Sequence, residues 1–301
     1  MLKYNRIIIV ATQQKVTGNI METQYITSCS IGGLHKLAYT QWGDNDNPDV
    51  LICSHGLTRN KHDFDELAST LAAKRRVICF DLPGRGESGW LNNKMAYDYT
   101  QYMVDALMII ATTKVEKVDW LGTSMGGLLG MALAAQPGSP IKKLIINDVG
   151  PFVPKVALQR IAEYVGQQPA FDTEEALGQY IRTVYAGFGD LTEQQWENMA
   201  IYGQRTLSNG QFTLNYDPDI SKAFMDKPLE DVDLWPVWGA IQQPTLVIKG
   251  EASDLLLDET ALKMTTTGPK ATLAIIPNTA HAPALMNSKD IHMVESWLNN
   301  T

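Results

Sequence analysis

The feature that most constrains the fold is an alternation of short apolar runs with amphipathic segments. Val50–Cys53, Arg76–Phe80 and Lys143–Asn147 are short runs, and apolar residues at helical spacing lie between them. Such runs, apolar on both faces and followed by helices, are typical of a mostly parallel sheet covered on both sides. The alternating segments Gln24–Ser30 and Leu34–Trp42 predict an antiparallel hairpin at one edge. The sequence therefore predicts an α/β protein.

The alternation stops over residues 151–234, where helical patterns replace it. The predicted helices of this stretch are Lys155–Gly166, Thr173–Ala186, Thr192–Gly203 and a shorter one near Asp219–Met225. We assign residues 22–150 and 235–301 to a core domain and residues 151–234 to an inserted helical lid. Residues 1–21 carry no clear pattern and are assigned to an N-terminal arm.

Composition narrows the class of partner. The chain has 25 Lys and Arg against 33 Asp and Glu, a net charge of −8, and no basic cluster, which disfavours nucleic acid and anionic membrane surfaces. No stretch approaches the roughly 18 apolar residues of a membrane span. Three cysteines are too few for a disulfide framework. We expect a cytoplasmic protein that acts on a small molecule; the sequence does not indicate the oligomeric state.

Gly122–Gly126, with the pattern G-x-S-x-G, lies between the predicted strand Val118–Leu121 and a predicted helix. The pattern alone is weak, because glycine and serine are common. In a strand–turn–helix context, small residues at Gly122 and Gly126 allow a tight turn that presents the Ser124 hydroxyl at the sheet edge. Ser124 is therefore the candidate nucleophile; a glycine-rich turn without chemistry is the alternative.

A serine nucleophile needs a base, and the chain has five histidines. His281 follows the last predicted strand, Ala271–Ile276, and parallel strands end at the same edge of a sheet, so His281 is expected near Ser124. We favour His281 over His55, which also lies at a strand end. The other histidines are interpreted as surface or packing residues: His35, His62 and His292.

The base in turn needs a carboxylate to orient it. Asp254 comes after the penultimate strand, Thr245–Lys249, so its loop is expected beside that of His281. We favour Asp254 over Asp148, for which binding to backbone N–H groups of its own loop is the structural alternative. Glu251 is the third candidate.

With these residues in place, the chain resembles the α/β-hydrolase superfamily. The motifs that carry the resemblance are Ser54-His55-Gly56-Leu57, Asp81–Ser88, Gly122–Gly127, Gly250–Asp254 and Ala280-His281-Ala282. They cover nearly the whole chain from about residue 22, and the lid is the least similar part. The resemblance implies that the backbone N–H groups of Leu57 and Met125 form an oxyanion hole and that His55 is structural.

The predicted function is a serine hydrolase that cleaves a small to medium carboxylic ester through an acyl-enzyme intermediate. This chemistry needs no cofactor, and no histidine has metal-ligand spacing. Arg59, close to the predicted oxyanion turn, is a candidate substrate-binding residue. Trp196 and Trp238 are further candidates, because some aromatic residues of the lid and of the segment after it are expected to line an apolar pocket.

Three alternatives remain open. Meta-cleavage C–C bond hydrolases share the fold and triad, but they carry Asn where this chain has Thr123 and a glycine-rich loop in place of Leu57-Thr58-Arg59. Enol-lactone hydrolases differ only in a cyclic substrate and cannot be separated by sequence. A ligand receptor on the same scaffold is the third, and the intact triad disfavours it.

Overall fold

The computed structural model describes residues 22–225 and 228–301. The N-terminal arm assigned to residues 1–21 lies outside the described residues. The strands are β1 (Gln24–Ser30), β2 (Gly33–Trp42), β3 (Val50–Ser54), β4 (Arg76–Phe80), β5 (Val118–Thr123), β6 (Ile141–Asn147), β7 (Phe152–Val153), β8 (Gln204–Thr206), β9 (Phe212–Leu214), β10 (Val232–Asp233), β11 (Thr245–Gly250) and β12 (Thr272–Ile276).

The helices alternate with the strands of the main sheet and then cluster between β6 and β11. They are α1 (Asp65–Leu71), α2 (Tyr99–Thr112), α3 (Met125–Ala134), α4 (Lys155–Tyr164), α5 (Glu174–Val184), α6 (Glu193–Gly203), α7 (Ile220–Met225), α8 (Trp235–Ala240), α9 (Asp258–Met264) and α10 (Ser288–Asn300). Short 3-10 turns lie at Lys61–Phe64, Lys94–Ala96 and Ala186–Phe188. In the described part of the chain, no helix is long and apolar enough to cross a membrane.

The main sheet has eight strands in the order β1-β2-β4-β3-β5-β6-β11-β12. The β1–β2 and β2–β4 pairs are antiparallel, and the other pairs are parallel. This confirms the predicted α/β fold with an antiparallel hairpin at one edge. The parallel strands β3, β4, β5, β6, β11 and β12 all end at the same edge, where ligands bind in open α/β sheets.

Two apolar layers cover the sheet, as the runs that are apolar on both faces predict. In β3, Val50 and Ile52 face the layer that contains α2 and α3, whereas Leu51 and Cys53 face α1 and α10. Period-2 alternation of side chains places consecutive residues on opposite faces. Because each fully buried aliphatic side chain contributes about 1.5–3 kcal/mol, both layers stabilise the strand order.

The segment between β6 and β11 contains the predicted helices with slightly shorter bounds. Thr173 caps α5 by accepting from the Ala176 N–H, and Thr192 forms a capping box with Gln195 at α6. A separate apolar cluster of this segment includes Leu177, Ile181 and Met199. Two antiparallel pairs, β7–β10 and β8–β9, were not predicted, because strands of two or three residues are too short to show a period.

Two helical glycines give a test of the packing between β5 and α3. A Cβ on Gly130 of α3 would lie 2.5 Å from the buried Trp120 ring, whereas a Cβ on Gly239 of α8 meets nothing within 4 Å. We expect Gly130→Ala to lower the free energy of unfolding by about 1–3 kcal/mol, because the ring is fully buried and its Nε1 is held by the Gly126 carbonyl at 3.0 Å. Gly239→Ala, the control, should be neutral or stabilising by up to about 1 kcal/mol. Urea titrations measure both, and equal midpoints for the two variants would contradict the prediction.

Candidate active site

Ser124 sits in the turn between β5 and α3 in a strained conformation. Its φ is 52° and its ψ is −114°, a region that non-glycine residues rarely adopt. Such strain costs about 1–3 kcal/mol and persists only where the surroundings hold it. The Ser124 N–H donates to the Asn147 carbonyl at 2.8 Å, which ties the turn to the end of β6. The hydroxyl is therefore presented at the sheet edge.

Two glycines allow this turn, as the sequence pattern predicts. A Cβ on Gly122 would lie 2.0 Å from the Gly126 carbonyl oxygen, and one on Gly126 would lie 2.2 Å from the Ser54 carbonyl oxygen. Backbone atoms cannot give way as a flexible side chain does. The first turn of α3 therefore packs directly on β3 and β5, and any side chain at either position would displace it.

The structure brings His281 and Ser124 together as the sequence predicts. The His281 Nε2 lies 2.9 Å from the Ser124 Oγ, and its Nδ1 lies 2.7 Å from an oxygen of Asp148. An ionised carboxylate only accepts hydrogen bonds, so Nδ1 carries the proton and donates to Asp148. The Nε2 of the neutral ring is then free to accept the Ser124 hydroxyl proton.

The carboxylate beside His281 is Asp148, so the expectation that Asp254 occupies this position is wrong. Asp148 follows β6 with a φ of 58° and is fully buried. Its Oδ1 accepts from the Gly250 N–H at 2.8 Å, and its Oδ2 accepts from the Ser253 hydroxyl at 2.7 Å. These donors hold the carboxylate in the orientation that meets the imidazole.

Asp254 lies on the surface and pairs with Arg160 of α4. The Arg160 Nε and Nη2 donate to the two carboxylate oxygens at 2.7 and 2.9 Å. In the turn after β11, the Ser253 N–H bonds back to the Gly250 carbonyl at 3.0 Å, and this turn directs the Ser253 hydroxyl toward Asp148. The next side chain, Asp254, points to solvent. Glu251 is also exposed and accepts from the Asn278 N–H at 3.1 Å.

His55 has both ring nitrogens engaged and does not reach Ser124. Its Nδ1 donates to the Gly56 carbonyl at 2.7 Å, and its Nε2 accepts from the Leu82 N–H at 3.0 Å. Burial lowers the pKa of His55 to about 4, so the ring stays neutral. The remaining histidines bond away from Ser124, His35 to Asp105, His62 to Asp65 and His292 to the Ser288 carbonyl.

The peptide between Gly56 and Leu57 has a fixed direction. Its carbonyl accepts from His55 and from the Arg59 N–H at 3.2 Å, and in a trans peptide the N–H points the opposite way. The fully buried Arg85 donates to the Leu57 carbonyl at 2.9 Å and fixes the next peptide. Within residues 22–225 and 228–301, neither the Leu57 N–H nor the Met125 N–H donates to a protein acceptor.

A cavity of about 840 Å³ opens at Ser124. Leu57, Met125 and His281 line it, together with mostly apolar and aromatic side chains of α2, α4 and the insert. Its size suits a ligand of several carbon units, because small-molecule sites in proteins range over about 300–1,000 Å³. Among the described residues, no group of three or more His, Cys, Asp or Glu could hold a metal ion.

The two candidate tryptophans do not line this cavity. Trp238 is fully buried and donates to the Thr267 carbonyl at 3.1 Å, and Trp196 packs in the insert beside Arg182.

Arg59 does line the cavity, but its Nε donates to both oxygens of Asp63 at 3.0 and 3.1 Å. The cavity wall does include aromatic residues of the insert, as expected for some of them: Tyr164, Tyr185 and Phe188. The aromatic lining residues that the sequence did not single out are Tyr97, Tyr99 and Tyr102, at the start of α2 and just before it.

Comparisons with known proteins agree with this architecture. The sequence model of a family described as alpha/beta hydrolase fold matches residues 49–287. A protein of Cupriavidus necator named 3-hydroxybutyrate-oligomer hydrolase is 42% identical over 275 residues, which cover 89% of this chain and 94% of that protein.

Solved structures agree as well. A protein from Rickettsia typhi aligns with a TM-score of 0.87 and 35% identity over 93% of this chain and 100% of its own. An alpha/beta hydrolase from Novosphingobium aromaticivorans aligns with a TM-score of 0.81 and 35% identity over 93% of this chain and 99% of its own.

The two aspartates give a direct test of the carboxylate. Asp148→Asn should lower kcat for ester hydrolysis by about 10³- to 10⁴-fold, because an amide no longer holds the His281 ring with Nδ1 protonated. Asp254→Asn, the matched control, loses only an exposed ion pair and should stay within about threefold of the wild type. Steady-state kinetics on an aryl ester measures both. A larger loss from Asp254→Asn would contradict the assignment.

Burial of neutral His55 predicts a pH-dependent stability. Folding lowers the pKa of His55 from 6.5 to about 4. The contribution of His55 to the free energy of unfolding is therefore complete above the pKa of the unfolded state and is lost as the pH falls toward the pKa of the folded state. Between about pH 7 and about pH 5, the loss should be on the order of 2 kcal/mol in the free energy of unfolding. Urea titrations of His55→Asn should show a weaker pH dependence, and those of His292→Asn, exposed on α10, the wild-type one. An unchanged dependence in His55→Asn would refute this.

Proposed function

This chain is a member of the alpha/beta hydrolase fold family, and from that premise we propose that it is a serine hydrolase that cleaves carboxylic esters through an acyl-enzyme intermediate. The observation that carries the proposal is the His281 imidazole, which is hydrogen-bonded at once to the Ser124 hydroxyl and to the buried Asp148. This arrangement activates a serine that would otherwise be a poor nucleophile.

In the first half-reaction, the Ser124 Oγ attacks the ester carbonyl while the His281 Nε2 takes its proton. Asp148 stabilises the imidazolium that forms, and the imidazolium then gives the proton to the departing alcohol. The carbonyl oxygen becomes an anion, for which we propose the N–H groups of Leu57 and Met125 as donors. Each such donor lowers the barrier by about 3–4 kcal/mol. The N-terminus of α3 adds a favourable dipole.

In the second half-reaction, water takes the place of the alcohol. His281 removes a proton from the water, which attacks the acyl-enzyme, and the proton then returns to Ser124 as the carboxylic acid leaves. The same two donors stabilise the second anion. No step needs a metal or an organic cofactor.

For the substrate class, we propose short oligoesters of small hydroxy acids. The relative named 3-hydroxybutyrate-oligomer hydrolase is similar over nearly the full length of both chains. The cavity of about 840 Å³ is large enough for several short repeating units, and its apolar wall suits their alkyl groups. Among the contacts of residues 22–225 and 228–301, none favours C–C cleavage or a receptor role, so neither is proposed.

We propose the insert, residues 151–234, as the lid over a core formed by residues 22–150 and 235–301. Tyr164, Tyr185 and Phe188 of the insert line the same cavity as Ser124. A cover of this kind excludes water from the ester and strengthens the hydrogen bonds to the anion. The insert therefore supplies the apolar part of the substrate site, and the core supplies the reacting groups.

Ser124→Ala tests the function. It should lower kcat on p-nitrophenyl butyrate and on the trimer of 3-hydroxybutyrate by about 10⁴-fold or more, because no other group can form the acyl-enzyme. Ser208→Ala, in an exposed turn, is the control and should behave as the wild type. Intact mass after treatment with a fluorophosphonate should increase in the wild type and stay constant in Ser124→Ala.

Undiminished turnover in Ser124→Ala would exclude the serine mechanism. Hydrolysis of the aryl ester with no cleavage of the trimer would instead leave the mechanism in place and exclude the proposed substrate class.

A further inference from the structure

We propose that Tyr185 is a positioning residue that holds the oxyanion hole from the insert side. This inference rests on the proposed function, since it concerns the same site. We call residues 56–60 the oxyanion loop and residues 185–188 the bridging turn. The turn follows α5 and lies between the oxyanion loop and the loop that carries His281.

The first contact is a hydrogen bond between side chains. The Tyr185 hydroxyl lies 3.0 Å from the Thr58 Oγ1. Thr58 immediately follows Leu57, whose N–H we propose as an oxyanion donor. Tyr185 is buried, and Thr58 is half-buried on the cavity wall. The bond therefore restrains the peptide that follows the donor.

The second contact is between the Tyr185 ring and Arg59. The Arg59 guanidinium lies 4.6 Å from the ring centroid and is almost completely buried. Burial lowers the pKa of Arg59, but Asp63 and Tyr185 outweigh it and hold the pKa above its ordinary value, so the group stays charged. A buried cation over an aromatic face is attracted by the negative face of the ring. The ring therefore restrains the far end of the oxyanion loop.

The bridging turn also holds the loop that carries His281. The Gly187 carbonyl accepts from the Ala280 N–H at 2.7 Å, and the Phe188 carbonyl accepts from the Ala284 N–H at 3.1 Å. These two bonds flank His281 along the chain. A Cβ on Gly187 would lie 2.8 Å from the Ala280 Cβ, so the two backbones are in close contact. One turn of the insert thus contacts both loops that serve the reacting ester.

Tyr185 and Phe188 also line the cavity, so a substrate bound there would contact the bridging turn as well. Hydrogen bonds to an oxyanion depend strongly on geometry, whereas binding of the uncharged ester depends mainly on the apolar wall. Removing the Tyr185 hydroxyl keeps the ring and the wall but releases Thr58. The consequence should appear in kcat rather than in KM.

The test compares Tyr185→Phe with Tyr180→Phe on an aryl ester. Tyr180 lies on α5, the helix that precedes the bridging turn. Its ring packs on Phe171 and does not line the cavity. We expect Tyr185→Phe to lower kcat about tenfold with KM within about twofold of the wild type, and Tyr180→Phe to change neither. Thr58→Val should lower kcat similarly. The double variant Thr58→Val/Tyr185→Phe should lose no more than the larger single loss, because both remove one interaction.

A second readout does not depend on activity. Hydrogen–deuterium exchange of a peptide covering the oxyanion loop should be faster in Tyr185→Phe than in the wild type and unchanged in Tyr180→Phe. Three results would overturn the inference, provided that the wild type hydrolyses the ester. They are an unchanged kcat and exchange rate in Tyr185→Phe, additive losses of kcat in the double variant, and a change in KM alone. A wild type that hydrolyses no ester would reject the proposed function, and the exchange difference would still decide the role of Tyr185.

Discussion

The two hydrogen bonds of the His281 imidazole depend on the order of the strands in the sheet. A neutral ring donates one hydrogen bond and accepts one, and here the partners follow the adjacent strands β5 and β6. The loop after β12 must cross the end of β11 to reach them. Hydrogen bonds from the core help to hold it there: the Ala252 N–H donates to the Thr279 carbonyl at 2.8 Å, and the Asn147 amide donates to the Pro283 carbonyl at 2.8 Å. A different strand order would separate the three groups.

The same region stores backbone strain and holds it with hydrogen bonds from its neighbours. Ser124 and Asp148 both have positive φ values, 52° and 58°, although neither is a glycine. Their N–H groups donate to the carbonyls of Asn147 and Ile248, on the next strand in each case, both at 2.8 Å. The sheet therefore supplies the free energy that keeps both side chains turned toward His281.

The sequence predicted what periodicity and motif context determine, and failed where side-chain direction decides. Ser124 follows from the glycines that flank it, and His281 from its place after the last strand. Asp148 and Asp254 both follow strands that end at this edge, so their order along the chain cannot distinguish them. The turn after β11 decides between the two aspartates, because it directs the Ser253 side chain toward Asp148 and the Asp254 side chain toward solvent. The prediction that Trp238 lines the pocket was wrong for a related reason, because an aromatic side chain is as suitable in a core as in a pocket.

Residues 56–60, the proposed oxyanion loop, are restrained from two sides, and this would give the insert a role beyond that of the proposed lid. His55 and Arg85 fix its peptides from the core, and Tyr185 contacts Thr58 and Arg59 from the insert. A substrate that fills the cavity packs against Tyr185 and Phe188, the residues whose turn also bonds to the His281 loop. Under the proposed mechanism, binding energy from an alkyl group far from the ester would help to hold the proposed oxyanion donors and base in position. In an enzyme of this design, a poorly fitting ester would lose rate as well as affinity, because interactions remote from the bond that breaks are expressed in the transition state.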